Sequence, residues 1–239
     1  MAVTTFRYDE PWEPLIMSTS PSPSRRNVLR GAILIGAGGV VGGGALLASG
    51  IASAEVTDPK IIGCDAWGAR QPADPLNQLD NNPDKILIHH TASSNDTGTT
   101  EDDAKSIAQQ IQHWHMDENG WSDTGQHFTV SRGGFALEGR HTSLQHLTDG
   151  KGMVQGAHCP GQNTSAIGIE HEGLYTSIEP PKALYDKTVE LCAFICGKYS
   201  IDPKEIYGHR DYYSTECPGE KFYAMLPQLR KDVAAKMKG

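Results

Sequence analysis

The chain has 239 residues, with 21 Lys and Arg against 29 Asp and Glu, for a formal charge of −8. That balance excludes a nucleic-acid binder built on a broad basic surface. With 38% hydrophobic and 21% charged residues the composition is globular, neither disordered nor that of a multi-span membrane protein. The histidines all fall between His89 and His209, which is where the chemistry is expected.

Residues 1–54 read as an export signal. Arg25, Arg26 and Arg30 supply a positive region, residues 31–54 carry no charge, and Ala52-Ser53-Ala54 forms a cleavage site. Paired arginines before a weakly apolar Gly/Ala-rich segment resemble the twin-arginine type, which moves folded proteins. The glycines of residues 31–54 and the cleavage site argue against a retained anchor. The body is therefore expected outside the cytoplasm, as a single domain over residues 55–239 with no membrane span after processing.

Residues 85–90 form a short β-rich run that enters the loop Thr91-Ala92-Ser93-Ser94. Residues 102–117 place Ala104, Ile107, Ala108, Ile111, Trp114 and His115 at helical spacing behind an acidic start. Residues 126–130 and 135–138 flank Ser131-Arg132-Gly133-Gly134 as a hairpin. A buried-type strand follows over 166–170, then a helix over 181–198 with proline in its first turn. A strand over 206–209 and a basic-ended helix over 223–238 close the chain. The order β-α-β-β-β-α-β-α predicts an α/β fold with a central mixed sheet flanked by helices.

Adjacent strand side chains point to opposite faces, so only one of His89 and His90 can face a given site. The segments Tyr207-Gly208-His209-Arg210-Asp211 and Thr215-Glu216-Cys217-Pro218-Gly219 place His209 and Cys217 where they can bend toward each other. Imidazole and thiolate are good zinc ligands, and three protein ligands with one open position is the catalytic arrangement. Five cysteines is an odd number for an exported protein, so at least one thiol is left unpaired. Cys217 is the candidate for metal duty. Cys64, Cys159, Cys192 and Cys196 are expected to form two disulfides, with Cys192 and Cys196 each joined to a distant partner.

Five ordered motifs together resemble one family. They are Ile86-Leu87-Ile88-His89-His90-Thr91-Ala92, the segment from Gly120-Trp121-Ser122-Asp123 to His127-Phe128, Glu138-Gly139-Arg140, Gly156-Ala157-His158, and Gly208-His209-Arg210-Asp211 through Cys217-Pro218-Gly219. Over about residues 64–232 the chain resembles the zinc-dependent N-acetylmuramoyl-L-alanine amidases, the type-2 amidase and peptidoglycan-recognition-protein family, in a bacterial secreted form. The resemblance implies Zn2+ on His89, His209 and Cys217. It also implies a substrate, the amide between the lactyl group of N-acetylmuramic acid and L-alanine in peptidoglycan.

Many members carry tyrosine where this chain has Gln126, whose amide cannot exchange protons near neutral pH and can only orient or hydrogen bond a substrate. The segment Gly168-Ile169-Glu170-His171-Glu172-Gly173 resembles the amidase branch that recycles wall fragments. That likeness implies Glu170 as the general base, with Glu172 as second choice on the same strand face. Thr215 stands where active members bond the substrate carbonyl oxygen. His158 is expected to bind substrate or steady the site, and Trp121, Asp123, Arg140 and Asn163 to line a glycopeptide groove. His113, His115, His127, His141, His146 and His171 read as structural; His113 and His115, two apart on one helix, do not share a face. The expectation is a secreted, monomeric zinc amidase whose partner is peptidoglycan and not nucleic acid. The competing reading is a protein of the same fold that binds muropeptides without cutting them.

Overall fold

The structure is a computed structural model describing residues 57–239, so the leader expected over residues 1–54 lies outside the described residues. The chain begins with β1 (Ile61–Ile62), the short α1 (Cys64–Trp67), β2 (Gln78–Leu79) and β3 (Lys85–His90). It continues through α2 (Glu101–His113), β4 (Phe128–Val130), β5 (Ala136–Glu138), α3 (Ser143–Asp149), β6 (Met153–Val154) and β7 (Ala166–His171). It ends with α4 (Lys182–Tyr199), β8 (Ile206–Gly208) and α5 (Glu220–Lys236). Among the described residues no helix is long and apolar enough to cross a membrane.

Six strands make one mixed sheet in the order β1-β5-β4-β7-β3-β8, and β2 pairs with β6 in a separate two-stranded sheet. Only the β4–β5 hairpin is antiparallel in the large sheet. Period-two alternation divides its faces. Ile86, Ile88, Phe128, Val130, Ile167 and Ile169 join the core with Leu184, Leu191 and Ile195 of α4 and Phe222, Leu226 and Leu229 of α5. On the opposite face α1 and α2 cover only the β5 end, through Cys64, Trp67, Ala104, Ala108 and Leu137. The β7–β3–β8 end of that face is left for polar groups.

The registers align those groups in a row. Leu137 pairs with Thr129, Thr129 with Glu170, and Glu170 with His89. Ile88 pairs with Gly208, so the next residue, His209, emerges beside His89 as the chain leaves β8.

Helix α2 starts at a capping box: the Thr100 hydroxyl accepts the Asp103 N–H, and the Asp103 carboxylate accepts the Thr100 N–H. It does not run to residue 117 as a single α-helix. Trp114–Glu118 forms a π-helical turn, which rotates the side chains beyond His113 out of α-helical register.

The disulfide expectation is corrected, because all five cysteines are free thiols. Cys64 packs with Trp67 and Leu137, Cys159 with Leu87 and Ala166, and Cys192 and Cys196 face the main core from α4. They occupy three separate apolar clusters, where a thiol behaves as a small hydrophobe.

Candidate metal centre and its surroundings

His89, His209 and Cys217 each offer one donor atom, and the three atoms lie within 4.8 Å of one another. The residues are brought together from β3, the turn after β8, and the loop before α5. Arg210 N–H donates to Cys217 O at 3.0 Å, folding that loop back on the turn. The Thr215 hydroxyl accepts the Cys217 N–H at 3.2 Å, and Cys217 Sγ accepts the His90 N–H at 3.3 Å.

The donor set fits a metal. His209 Nε2 is buried without a hydrogen-bond partner, an arrangement that costs free energy unless something else fills it. His89 Nδ1 lies 3.8 Å from Cys217 Sγ, and its Nε2 is held 3.0 Å from His158 Nδ1. His158 Nε2 in turn donates to Ala166 O at 3.2 Å. A carbonyl only accepts, so the proton sits on His158 Nε2 and its Nδ1 must accept from His89 Nε2–H. The relay leaves His89 Nδ1 with a free lone pair beside the thiol, the tautomer a metal ligand requires. Burial holds His209 down to about 4 and His89 well below the ordinary imidazole value, so both are neutral at pH 7. Burial pushes the Cys217 thiol up, while the His90 N–H opposes that shift.

Two glycines make room for the relay. A Cβ at Gly168 would lie 2.5 Å from His158 Cγ, and one at Gly156 would lie 2.7 Å from its Cδ2. Asn163 Oδ1 accepts the N–H groups of His158 and Cys159 at 2.8 and 2.9 Å. Asn163 thus shapes the loop that carries His158.

Glu170 stands one strand from His89 on the same face, and burial pushes its carboxyl up to about 8. Its nearest ionisable partner is His115, with Nε2 3.9 Å from Oε1. Glu172 is not part of this cluster. It lies beyond the end of β7, its Oε2 accepts the Arg132 N–H at 2.8 Å, and it is 1% exposed.

The residues expected to line a groove divide into two groups. Trp121 is 37% exposed and stacks on His115 at 4.7 Å. Asp123 is fully buried, accepting from Thr124 N–H and from the N–H and Nδ1 of His141. Arg140 is buried and donates to Thr124 O at 2.7 Å, so it braces a loop. Gln126 is also interior; its Nε2 donates to Thr129 Oγ1 at 3.0 Å and its Oε1 is buried without a partner.

Sequence reasoning missed two neighbours of the centre. His115 reads as structural because it continues the apolar helical spacing of Ala108 and Ile111. Tyr213 is 45% exposed and lies over His209 with centroids 5.6 Å apart and planes 21° apart. Its signal was available, since Tyr212-Tyr213 stands between two candidate ligands and is too polar a context for core.

Taken together, the mixed sheet and its His/His/Cys cluster define an α/β protein with a preformed metal-type centre on one open sheet face. The family model described as N-acetylmuramoyl-L-alanine amidase matches residues 79–220, and the chain belongs to that family. Peptidoglycan-recognition protein LB of Drosophila melanogaster is 32% identical over 181 residues, covering 75% of this chain and 71% of that protein. A human N-acetylmuramoyl-L-alanine amidase is 30% identical over 144 residues, covering 59% of this chain and 23% of the relative. Among solved structures, wild-type Drosophila PGRP-LB superposes with a TM-score of 0.61 at 29% identity, covering 70% of this chain and 92% of that one. The amidase LysC from Clostridium intestinale superposes with a TM-score of 0.56 at 28% identity, covering 75% and 98%. A mutant of Drosophila PGRP-LB was solved in complex with tracheal cytotoxin.

Proposed function

We propose that this protein is a zinc-dependent N-acetylmuramoyl-L-alanine amidase. It is exported by a twin-arginine-type signal in residues 1–54, acts as a monomer, and cleaves the amide between the lactyl group of N-acetylmuramic acid and L-alanine in peptidoglycan. The observation that carries the reading is the convergence of His89, His209 and Cys217 with Glu170 one strand away on the same face. His89, His209 and Cys217 would hold the zinc ion, which would supply Lewis acidity at the carbonyl and lower the pKa of water toward neutrality.

The chain's own residues supply the proton traffic. Glu170 accepts a proton from the attacking water and returns it to the leaving amino nitrogen of L-alanine. Its buried setting, with a pKa raised to about 8, makes the protonated form a stable donor for that second transfer. A cation held by His89, His209 and Cys217 would favour the ionised form needed for the first. Thr215 Oγ1 already accepts the Cys217 N–H, so its own O–H proton is free to donate to the substrate carbonyl oxygen. The exposed rings of Trp121 and Tyr213, one stacked on His115 and the other on His209, offer apolar walls to a muramyl peptide. Gln126, held under the rung by Thr129, takes no proton.

Cys217 and a buried base favour cleavage over binding alone. The test is incubation of the zinc-loaded protein with purified cell walls, scoring new L-alanine amino termini with and without chelator. Chelator-sensitive release is expected, with about one zinc per chain. Tight binding to walls with no release would establish a recognition protein instead.

A further inference from the structure

His115 lies in the π-turn that follows α2. It stands one turn beyond buried Ile111, on the side of the helix opposite His113, which is exposed and paired with Asp117. It lies at the start of the π-turn over Trp114–Glu118, next to Glu170 of β7. Single π-turns of this kind are frequent at functional sites.

Two contacts hold the imidazole there. Gly125 N–H donates to His115 Nδ1 at 3.1 Å, and the Trp121 indole lies over the ring with planes 29° apart. Gly125 permits that approach, since a Cβ there would fall 2.7 Å from the Trp121 ring and 2.6 Å from Ala157 O. A backbone N–H can only donate, so Nδ1 is the bare nitrogen and the proton of the neutral ring resides on Nε2. Burial keeps the ring neutral, down to about 4.

His115 Nε2 lies 3.9 Å from Glu170 Oε1. Among the described residues no group donates a hydrogen bond to this carboxylate, and burial alone accounts for its altered affinity for protons. The gap is longer than a hydrogen bond, but catalytic hydrogen bonds are often long before substrate binds and shorten in the complex.

We infer that His115 is a positioning residue for Glu170: its Nε2–H anchors one carboxylate oxygen and leaves the other to the water. The inference rests on the amidase reading for its catalytic meaning, while the pairing itself is a property of the folded chain. A base free to swing about its side-chain torsions would spend little time in line with the water, and misplacement by about 1 Å can cost 100-fold in rate.

The experiment has two arms. In the first, long-range 1H–15N spectra of the zinc-loaded, 15N-labelled protein report the His115 tautomer. Bare Nδ1, protonated Nε2, and an Nε2–H resonance that moves on Glu170→Gln are expected. An Nδ1-protonated ring, or a resonance indifferent to Glu170→Gln, overturns the pairing. In the second arm, His115→Phe keeps zinc content and KM but lowers kcat by about 10–100-fold. His115→Gln retains a donor at the distance of Nε2 and restores most of kcat. His115→Asn reaches only as far as Nδ1 and does not. In a Glu170→Gln background His115→Phe adds no further loss; losses that multiply would show that the two residues act independently. If the parent protein loads zinc and cleaves nothing, the amidase reading fails, and the first arm still decides the pairing.

Discussion

On β3, Ile86 and Ile88 face α4 and α5, while Leu87 and His89 face the other way. On β7 the same alternation gives Ile167 and Ile169 on one side and Gly168 and Glu170 on the other. The apolar side is closed by two long helices, and burying each isoleucine there contributes roughly 1.5–3 kcal/mol. The other side places a carboxyl, the imidazoles of His89, His115, His158 and His209, and a thiol among few apolar partners. Its groups are tied to backbone, as His158 is to Ala166 O, to one another, as His89 is to His158, or left without a partner, as His209 Nε2 is. One sheet therefore assigns stability and chemistry to opposite faces of the same strands, separated by a single residue in sequence.

Acid should damage both faces at once. His127 is fully buried near the site and His171 is fully buried against Phe222, and burial lowers each to about 4. Between about pH 6.5 and pH 4 the unfolded chain binds protons that the folded chain refuses, so stability is complete above 6.5 and lost on descent toward 4. The two residues together should remove several kcal/mol, enough to unfold the metal-free protein in a chemical denaturation series across that range.

Neighbouring substitutions on β7 should then separate the faces. Glu170→Gln is expected to lower kcat by about 10²–10⁴, which is roughly 3–5 kcal/mol on the barrier, while zinc content is retained. The same change should flatten one part of the stability profile of the metal-free protein. The folded Glu170 holds its proton up to about 8, so its own contribution to stability falls as pH rises from about 4.5 to 8, opposing the histidine contribution below 6.5, and the variant lacks that decline. Ile169→Ala, one residue away, should cost about 2–5 kcal/mol of unfolding free energy with little change in turnover per folded molecule.

The mildest of these changes addresses the relay behind the centre. His158→Ala should weaken zinc binding about 10–100-fold in a competition titration. Gly168→Ala should produce the same defect without touching any polar atom, because its Cβ would displace the His158 ring. Unchanged zinc affinity in both would mean that His89 holds its tautomer unaided.

The sheet core was legible because β3, β4, β7 and β8 carry alternating or continuous apolar patterns, and α2, α4 and α5 carry helical spacing. The two-residue strands β1, β2 and β6 were missed, since two residues have no period to detect. His89, His209 and Cys217 could be nominated from chemistry and motif, yet only the β3–β8 register explains why they meet. Arg140 and Asp123 were named from motif as groove residues; the sequence carries no sign that both are interior, where they hold loop backbone. Glu172 obeyed the alternation rule only as far as the strand lasted, and β7 ends one residue before it. The cysteine count suggested bridges because it carries no information about distance.

Gly168 has a consequence beyond strand geometry. With its missing Cβ replaced by an imidazole from a distant loop, positions 158 and 168 share one volume, and neither can be altered independently. Across descendants of this chain the two sites should drift as a pair: any sequence that acquires a side chain at 168 should have surrendered the ring at 158, and with it the tautomer lock on the first histidine.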